Sequence, residues 1–159
     1  MHFLRLLSFC LLAALMRVEP SVAQTPIPSS NLRVWFNGDA GIVVNGGNNT
    51  TVTDWHDQSG NNLTVSQPYN NVPAQPTYIP NAVNGHGALR FNGTTNFLET
   101  ATANDVLAGA DDVTAFLVVV PGTSQNASAS IIDHEINSAP LDGFSLAQSG
   151  SLANQYAFT

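Results

Sequence analysis

Apolar positions along the chain recur in short runs, each closed by a turn dipeptide, and this pattern predicts strands rather than helices. The runs cover residues 32–36, 52–55, 63–66, 88–91, 97–100, 113–120, 130–133, 144–147 and 156–158. Asn-Gly, Gly-Gly, Ser-Gly and Asp-Gly steps separate them and supply the positive φ that tight reversals need. No heptad, internal repeat or long helical stripe is present, and a single short helical turn is predicted over 103–110. Short strands at this spacing predict an all-β fold, an antiparallel two-sheet sandwich.

Residues 113–120 are the most informative run. Val113, Ala115, Leu117 and Val119 fall on one parity, and Phe116, Val118 and Val120 on the other. A strand apolar on both faces belongs in the middle of a covered sheet, and Pro121-Gly122 would end it. Val52 and Trp55 lie on opposite parities, which predicts a β-bulge that re-aims one of them. Pro68, Pro73, Pro76 and Pro80 fix φ and remove donors, so 68–80 is predicted to run extended over the surface with little ladder pairing.

The amino terminus reads as a targeting segment. Arg5 precedes an apolar run over 6–16, and Ser21-Val22-Ala23 sets small residues where a signal peptidase reads, so residues 1–23 are a predicted signal peptide cleaved after Ala23. The run is well short of the roughly 20 residues that span a bilayer. The mature protein is therefore expected to be secreted or on the cell surface, with no membrane insertion after cleavage. Residues 24–30 form a linker and 31–159 the folded domain.

Composition sharpens this picture. Charged residues make up 9% of the chain and hydrophobic ones 43%, which is too little charge for the polar faces of long amphipathic helices but ample for a core. Arg5, Arg17 and Glu19 leave with the leader, so 2 basic residues, Arg33 and Arg90, remain against 10 acidic ones, a net charge of −8. With no lysine and no basic cluster, nucleic acid is excluded as a partner. The single cysteine, Cys10, also lies in the leader, so an exported product carries no disulfide.

Three segments carry a family resemblance when taken in order. They are Leu32-Arg33-Val34-Trp35-Phe36-Asn37-Gly38-Asp39-Ala40-Gly41, then Trp55-His56-Asp57-Gln58-Ser59-Gly60-Asn61, then Leu89-Arg90-Phe91-Asn92-Gly93 with Asn96-Phe97-Leu98. Together they resemble the laminin G-like branch of the concanavalin A-like lectin/glucanase jelly rolls, over residues 32–158. The resemblance implies a jelly-roll sandwich in which 116–121 is a long inner strand. Members of this family usually carry a second half that closes both sheets, so the resemblance also implies that the domain is incomplete at its C-terminal side and belongs to a longer chain with further domains.

Candidate chemistry is sparse. In Asp57-Gln58-Ser59-Gly60-Asn61 the aspartate can cap its own turn, with Gly60 and Asn61 tolerating positive φ. The sharper alternative gives Asp57 and Asn61 to a calcium ion, a hard cation that takes oxygen ligands. Relatives in the family often place Asp at the positions of Asn92 and Asn96, and here both are amides. Trp35 and Trp55 are interior payloads or sugar-stacking platforms, while Tyr69 and Tyr78, in the proline-rich stretch, are the better exposed ligand-binding candidates. Asp133-His134-Glu135 is the densest polar cluster. On a strand Asp133 and Glu135 share one face roughly 6.5–7 Å apart and His134 takes the other. They read as a solvated strand end, as ligand-binding groups, or as the acid and base of a glycosidase. His56, His86 and His134 lie too far apart in sequence to suggest a zinc motif.

The function these readings imply is a secreted, non-catalytic carbohydrate-binding or adhesive lectin-like module, with calcium as a candidate cofactor and a polysaccharide or glycoprotein glycan as partner. The alternatives are a glycoside hydrolase or polysaccharide lyase of the same fold, using Asp133 and Glu135, and a structural module of a larger surface protein.

Overall fold

The computed structural model describes residues 27–159 except 70, 101–105, 123–125, 127–128, 136–142, 150–154 and 159, and the side chains of Glu135 and Phe158 are also outside the description. The leader expected over 1–23 lies outside the described residues. No described helix is long and apolar enough to cross a membrane.

Among the described residues, nine short strands form: β1 (Ile42–Val44), β2 (Val52–His56), β3 (Thr64–Ser66), β4 (Thr77–Val83), β5 (His86–Arg90), β6 (Glu99–Thr100), β7 (Ser130–Glu135), β8 (Gly143–Gln148) and β9 (Tyr156–Phe158). One 3₁₀ turn at Val72–Ala74 is the only helical element among the described residues. The strands form three small sheets, ordered β1-β2-β3-β6, β4-β5 and β7-β8-β9. Every ladder is antiparallel. The all-β, antiparallel class expected from the short apolar runs is therefore present.

Local sequence explains several elements directly. Asn84 and Gly85 have φ of 50° and 86° and join Val83 to its ladder partner His86, the two-residue left-handed turn that Asn-Gly favours in hairpins. The first sheet contains the expected bulge. Ile42 faces Trp55 and Val43 faces Asp54, but Val44 faces Val52, so Thr53 is the extra residue on β2. That insertion lets Val52 be fully buried while the Trp55 ring packs on Phe36, with centroids 5.0 Å apart. Val52, Leu63 and Ala74, with Pro76 beside them, form the buried apolar centre among the described residues.

The structure corrects three expectations. Residues 32–36 join no ladder, because Trp35 N–H donates to the Asp57 side chain and its carbonyl accepts from Gln58 N–H, so a loop rather than a strand satisfies them. The proline-rich stretch does pair. β4 runs through Pro80, which the ladder tolerates because the register shifts between Ile79 and Val83, leaving the ring at a bulge. Of the short turn expected over 103–110, residues 103–105 lie outside the described residues and 106–109 form a turn. Residues 113–120, expected as a covered central strand, belong to no sheet, and Phe116, Val118 and Val120 are exposed. An apolar run on both parities specifies a strand, but a ladder also requires a neighbouring strand, and none of the described residues provides one.

Candidate functional site

The Asp57 loop is built as a clasp. Asp57 sits at the end of β2, is 9% exposed, and has its own N–H on the carbonyl of Leu63 at 2.9 Å. Its Oδ1 accepts from Trp35 N–H at 2.6 Å and from Ser59 N–H at 2.9 Å, and its Oδ2 accepts from the Ser59 hydroxyl. Asn61 completes the clasp, since its Nδ2 donates to the carbonyls of Leu32 and Arg33, both at 2.9 Å. Burial pushes the Asp57 pKa up, but the hydrogen bonds from Ser59 and Trp35, with Asn61 N–H, outweigh it and leave the carboxyl below its ordinary range. The segment 32–35 is thereby tied to a turn 22 residues later.

This donor set does not fit calcium. The Asp57 oxygens face N–H and O–H groups, and the Asn61 amide nitrogen faces backbone carbonyls. Asn92 and Asn96 behave the same way. Asn92 Oδ1 accepts from the N–H groups of Thr94, Thr95 and Asn96, and Asn96 Oδ1 accepts from Asn92 N–H. These are Asx turns, whose side-chain carbonyls replace backbone acceptors. Among the described residues no group of three His, Cys, Asp or Glu side chains could hold a metal ion.

A second cluster gathers around Gly87 on β5. Asp39, in the turn that follows the 32–36 loop, accepts from Gly87 N–H at 2.7 Å and contacts His86 Nδ1 at 2.5 Å. An ionised carboxylate only accepts, so the contact puts the proton on Nδ1 and leaves Nε2 directed to other partners. The Gly87 N–H holds the Asp39 carboxyl below its ordinary range, and His86 adds to the effect. Both side chains are exposed.

Two glycines make this approach feasible. A Cβ on Gly38 would lie 2.0 Å from the Gly87 carbonyl oxygen, and one on Gly87 would lie 2.5 Å from both the Gly38 carbonyl oxygen and the Tyr78 hydroxyl. The turn at 37–41 therefore rests directly on the β5 backbone, with the half-buried Tyr78 ring of β4 beside Gly87. Trp55 secures the same turn, its Nε1 donating to the carbonyls of Asn37 at 3.0 Å and Ala40 at 3.3 Å. An aromatic ring, a carboxylate and an imidazole thus meet at one surface.

The remaining candidates lie elsewhere in the chain's topology. Tyr69 is exposed in a loop shaped by Gln67, whose Oε1 accepts from the N–H groups of Tyr69 and Asn71 at 3.1 and 2.7 Å. Asp133 and Glu135 occupy β7, opposite Ser145 and Gly143 of β8. Between them His134 stacks on its cross-strand partner Phe144, with centroids 6.2 Å apart. Tyr78 is the ligand-binding candidate whose ring and hydroxyl flank Gly87, the residue whose N–H donates to Asp39. Sequence spacing did not pair Asp39 with His86, because they lie 47 residues apart.

No protein-family profile, no curated protein and no solved structure matches the chain.

Proposed function

We propose that this chain is an exported, non-catalytic carbohydrate-binding module of the concanavalin A-like jelly-roll type, with its sugar-binding surface at Tyr78, Asp39 and His86. The fold assignment rests on the resemblance of residues 32–158 to that family together with the all-β antiparallel sheets. The site assignment rests on one observation, that the Asp39–His86 pair and the Tyr78 ring both adjoin Gly87. Sugar recognition needs an aromatic face for the C–H side of a pyranose and polar groups that fix its hydroxyls. Tyr78 supplies the first. The imidazole Nε2, the Tyr78 hydroxyl and the Asp39 carboxylate supply the second. Fold alone does not decide function, so the site carries this reading.

Affinity electrophoresis of the full chain through gels containing single polysaccharides tests it. Retardation by at least one polysaccharide is expected, and Tyr78→Ala should weaken it roughly ten-fold or more, the scale of losing one well-packed aromatic anchor. Absence of retardation across a broad panel, or retardation that Tyr78→Ala leaves intact, refutes the site. Release of reducing ends that disappears in Asp133→Asn with Glu135→Gln would show a hydrolase instead.

A further inference from the structure

Asn-Gly occurs four times in the chain, at Asn37-Gly38, Asn45-Gly46, Asn84-Gly85 and Asn92-Gly93. Asparagine is thermolabile, and a following glycine, with no side chain of its own, leaves its backbone nitrogen open to the asparagine Cγ. As dipeptides the four are equivalent. The structure separates them by what holds the asparagine side chain.

Three are restrained. Asn37 Oδ1 accepts from Asp39 N–H and Asn45 Oδ1 from Gly47 N–H, both at 2.9 Å. Asn92 Oδ1 accepts from the N–H groups of Thr94, Thr95 and Asn96, and its Nδ2 donates to the Thr95 hydroxyl at 2.8 Å. Each Asx turn fixes the side chain on a donor beyond the glycine, so that bond must break before the glycine nitrogen can reach Cγ. Gly38 is also wedged in place, since a Cβ there would lie 2.0 Å from the Gly87 carbonyl oxygen.

Asn84 differs on both counts. It is exposed, its side chain makes no hydrogen bond among the described residues, and a Cβ on Gly85 would meet nothing within 4 Å. Its φ is already 50°. The two turns that close a two-residue hairpin, types I′ and II′, share a positive φ at the first central residue and differ by turning over the central peptide, which takes ψ there to about −120°. At that ψ the Asn84 Cβ and the Gly85 nitrogen eclipse across the Cα–C bond, so nitrogen and Cγ can close a five-membered ring. Glycine accepts the φ of either turn. The ladder pair Val83 with His86 therefore stays closed while the nitrogen reaches Cγ.

We propose that Asn84 is the deamidation site of the folded chain. The Gly85 nitrogen bonds to Asn84 Cγ, the Cγ–Nδ2 bond breaks, and ammonia leaves carrying the Gly85 proton. Water then opens the succinimide at either ring carbonyl, breaking that C–N bond and leaving an aspartate or an isoaspartate linkage. One water is consumed and one ammonia released, with nothing oxidised or reduced. The isoaspartate product carries the main chain through the side chain, which inserts a methylene into the turn directly before His86, the residue that contacts Asp39. The site stands whether or not that surface binds sugar.

The test incubates the full chain in warm, mildly alkaline buffer, folded and in parallel in concentrated urea. Each Asn-Gly peptide is then followed by mass spectrometry after peptic digestion in acid, with electron-transfer fragmentation to separate the two linkages. In the folded chain Asn84 should convert roughly five-fold or more faster than Asn37, Asn45 and Asn92, the factor that one ordinary hydrogen bond imposes when it must break first. In urea the four rates should converge, because the turns that restrain the other three are gone. A different Asn-Gly converting first, equal rates in the folded chain, or a lead for Asn84 that persists undiminished in urea overturns the proposal.

Discussion

Replacing Asp57 provides the most direct test of how the first loop is held. Asp57→Ala removes the acceptor for Trp35 N–H, Ser59 N–H and the Ser59 hydroxyl at a residue that is 9% exposed. Hydrogen bonds to a charged group contribute about 1.5–3 kcal/mol each, and a donor left buried without a partner costs about 1–3 kcal/mol. The Ser59 groups can turn toward water, whereas the part-buried Trp35 N–H cannot, so the net loss should be about 3 kcal/mol. Asp57→Asn keeps a neutral carbonyl for Trp35 and should cost about 1 kcal/mol. Urea unfolding followed by tryptophan fluorescence measures both, because Trp35 hangs on this bond and Trp55 lies on the adjoining strand. With a slope near 1.5 kcal/mol per molar, the midpoint should fall by about 2 M for the alanine variant and by about 0.7 M for the asparagine variant.

Acid supplies an independent control on the same residue. The folded-state pKa of Asp57 is depressed, so its contribution is present above the unfolded pKa and is lost as pH falls through the folded value. The gap between the native protein and Asp57→Asn should therefore shrink between about pH 5 and about pH 2. Midpoints that coincide for all three proteins, or a gap that persists in acid, would refute the clasp.

Two further outcomes follow from the cluster around Gly87. Gly87→Ala places a methyl against the Gly38 carbonyl and the Tyr78 hydroxyl and should cost about 1–3 kcal/mol as overpacking; a thermal melt that matches the native protein would show that the turn at 37–41 does not rest on β5. In carbon-detected NMR the Asp39 carboxyl should titrate below its ordinary value of 3.8. His86→Ala should raise that midpoint only part of the way, since the Gly87 N–H exerts the larger effect, and complete recovery would assign the shift to His86 alone.

Much of the local structure was legible in the sequence because it depends on neighbours along the chain. The Asn84-Gly85 hairpin turn and the bulge between Val52 and Trp55 follow from backbone sterics and side-chain parity. Seven of the predicted runs, those beginning at residues 52, 63, 88, 97, 130, 144 and 156, coincide with or overlap observed strands. The Asx-capped turn at Asp57 was readable for the same reason. Its reach to Trp35 was not, because a hydrogen bond across 22 residues leaves no periodic trace.

What the sequence by itself determined is the all-β, antiparallel character and the positions of its turns, since alternation and glycine or asparagine at positive φ act over two to four residues. Tertiary structure alone decided which runs find partners. It left 113–120 unpaired despite a strong strand pattern, paired β4 despite Pro80, and brought Asp39 to His86 through the close contact of Gly38 and Gly87. Strand preference is a property of one segment, whereas a ladder or a polar cluster needs two segments to meet in space, and that meeting is set by packing rather than by local pattern.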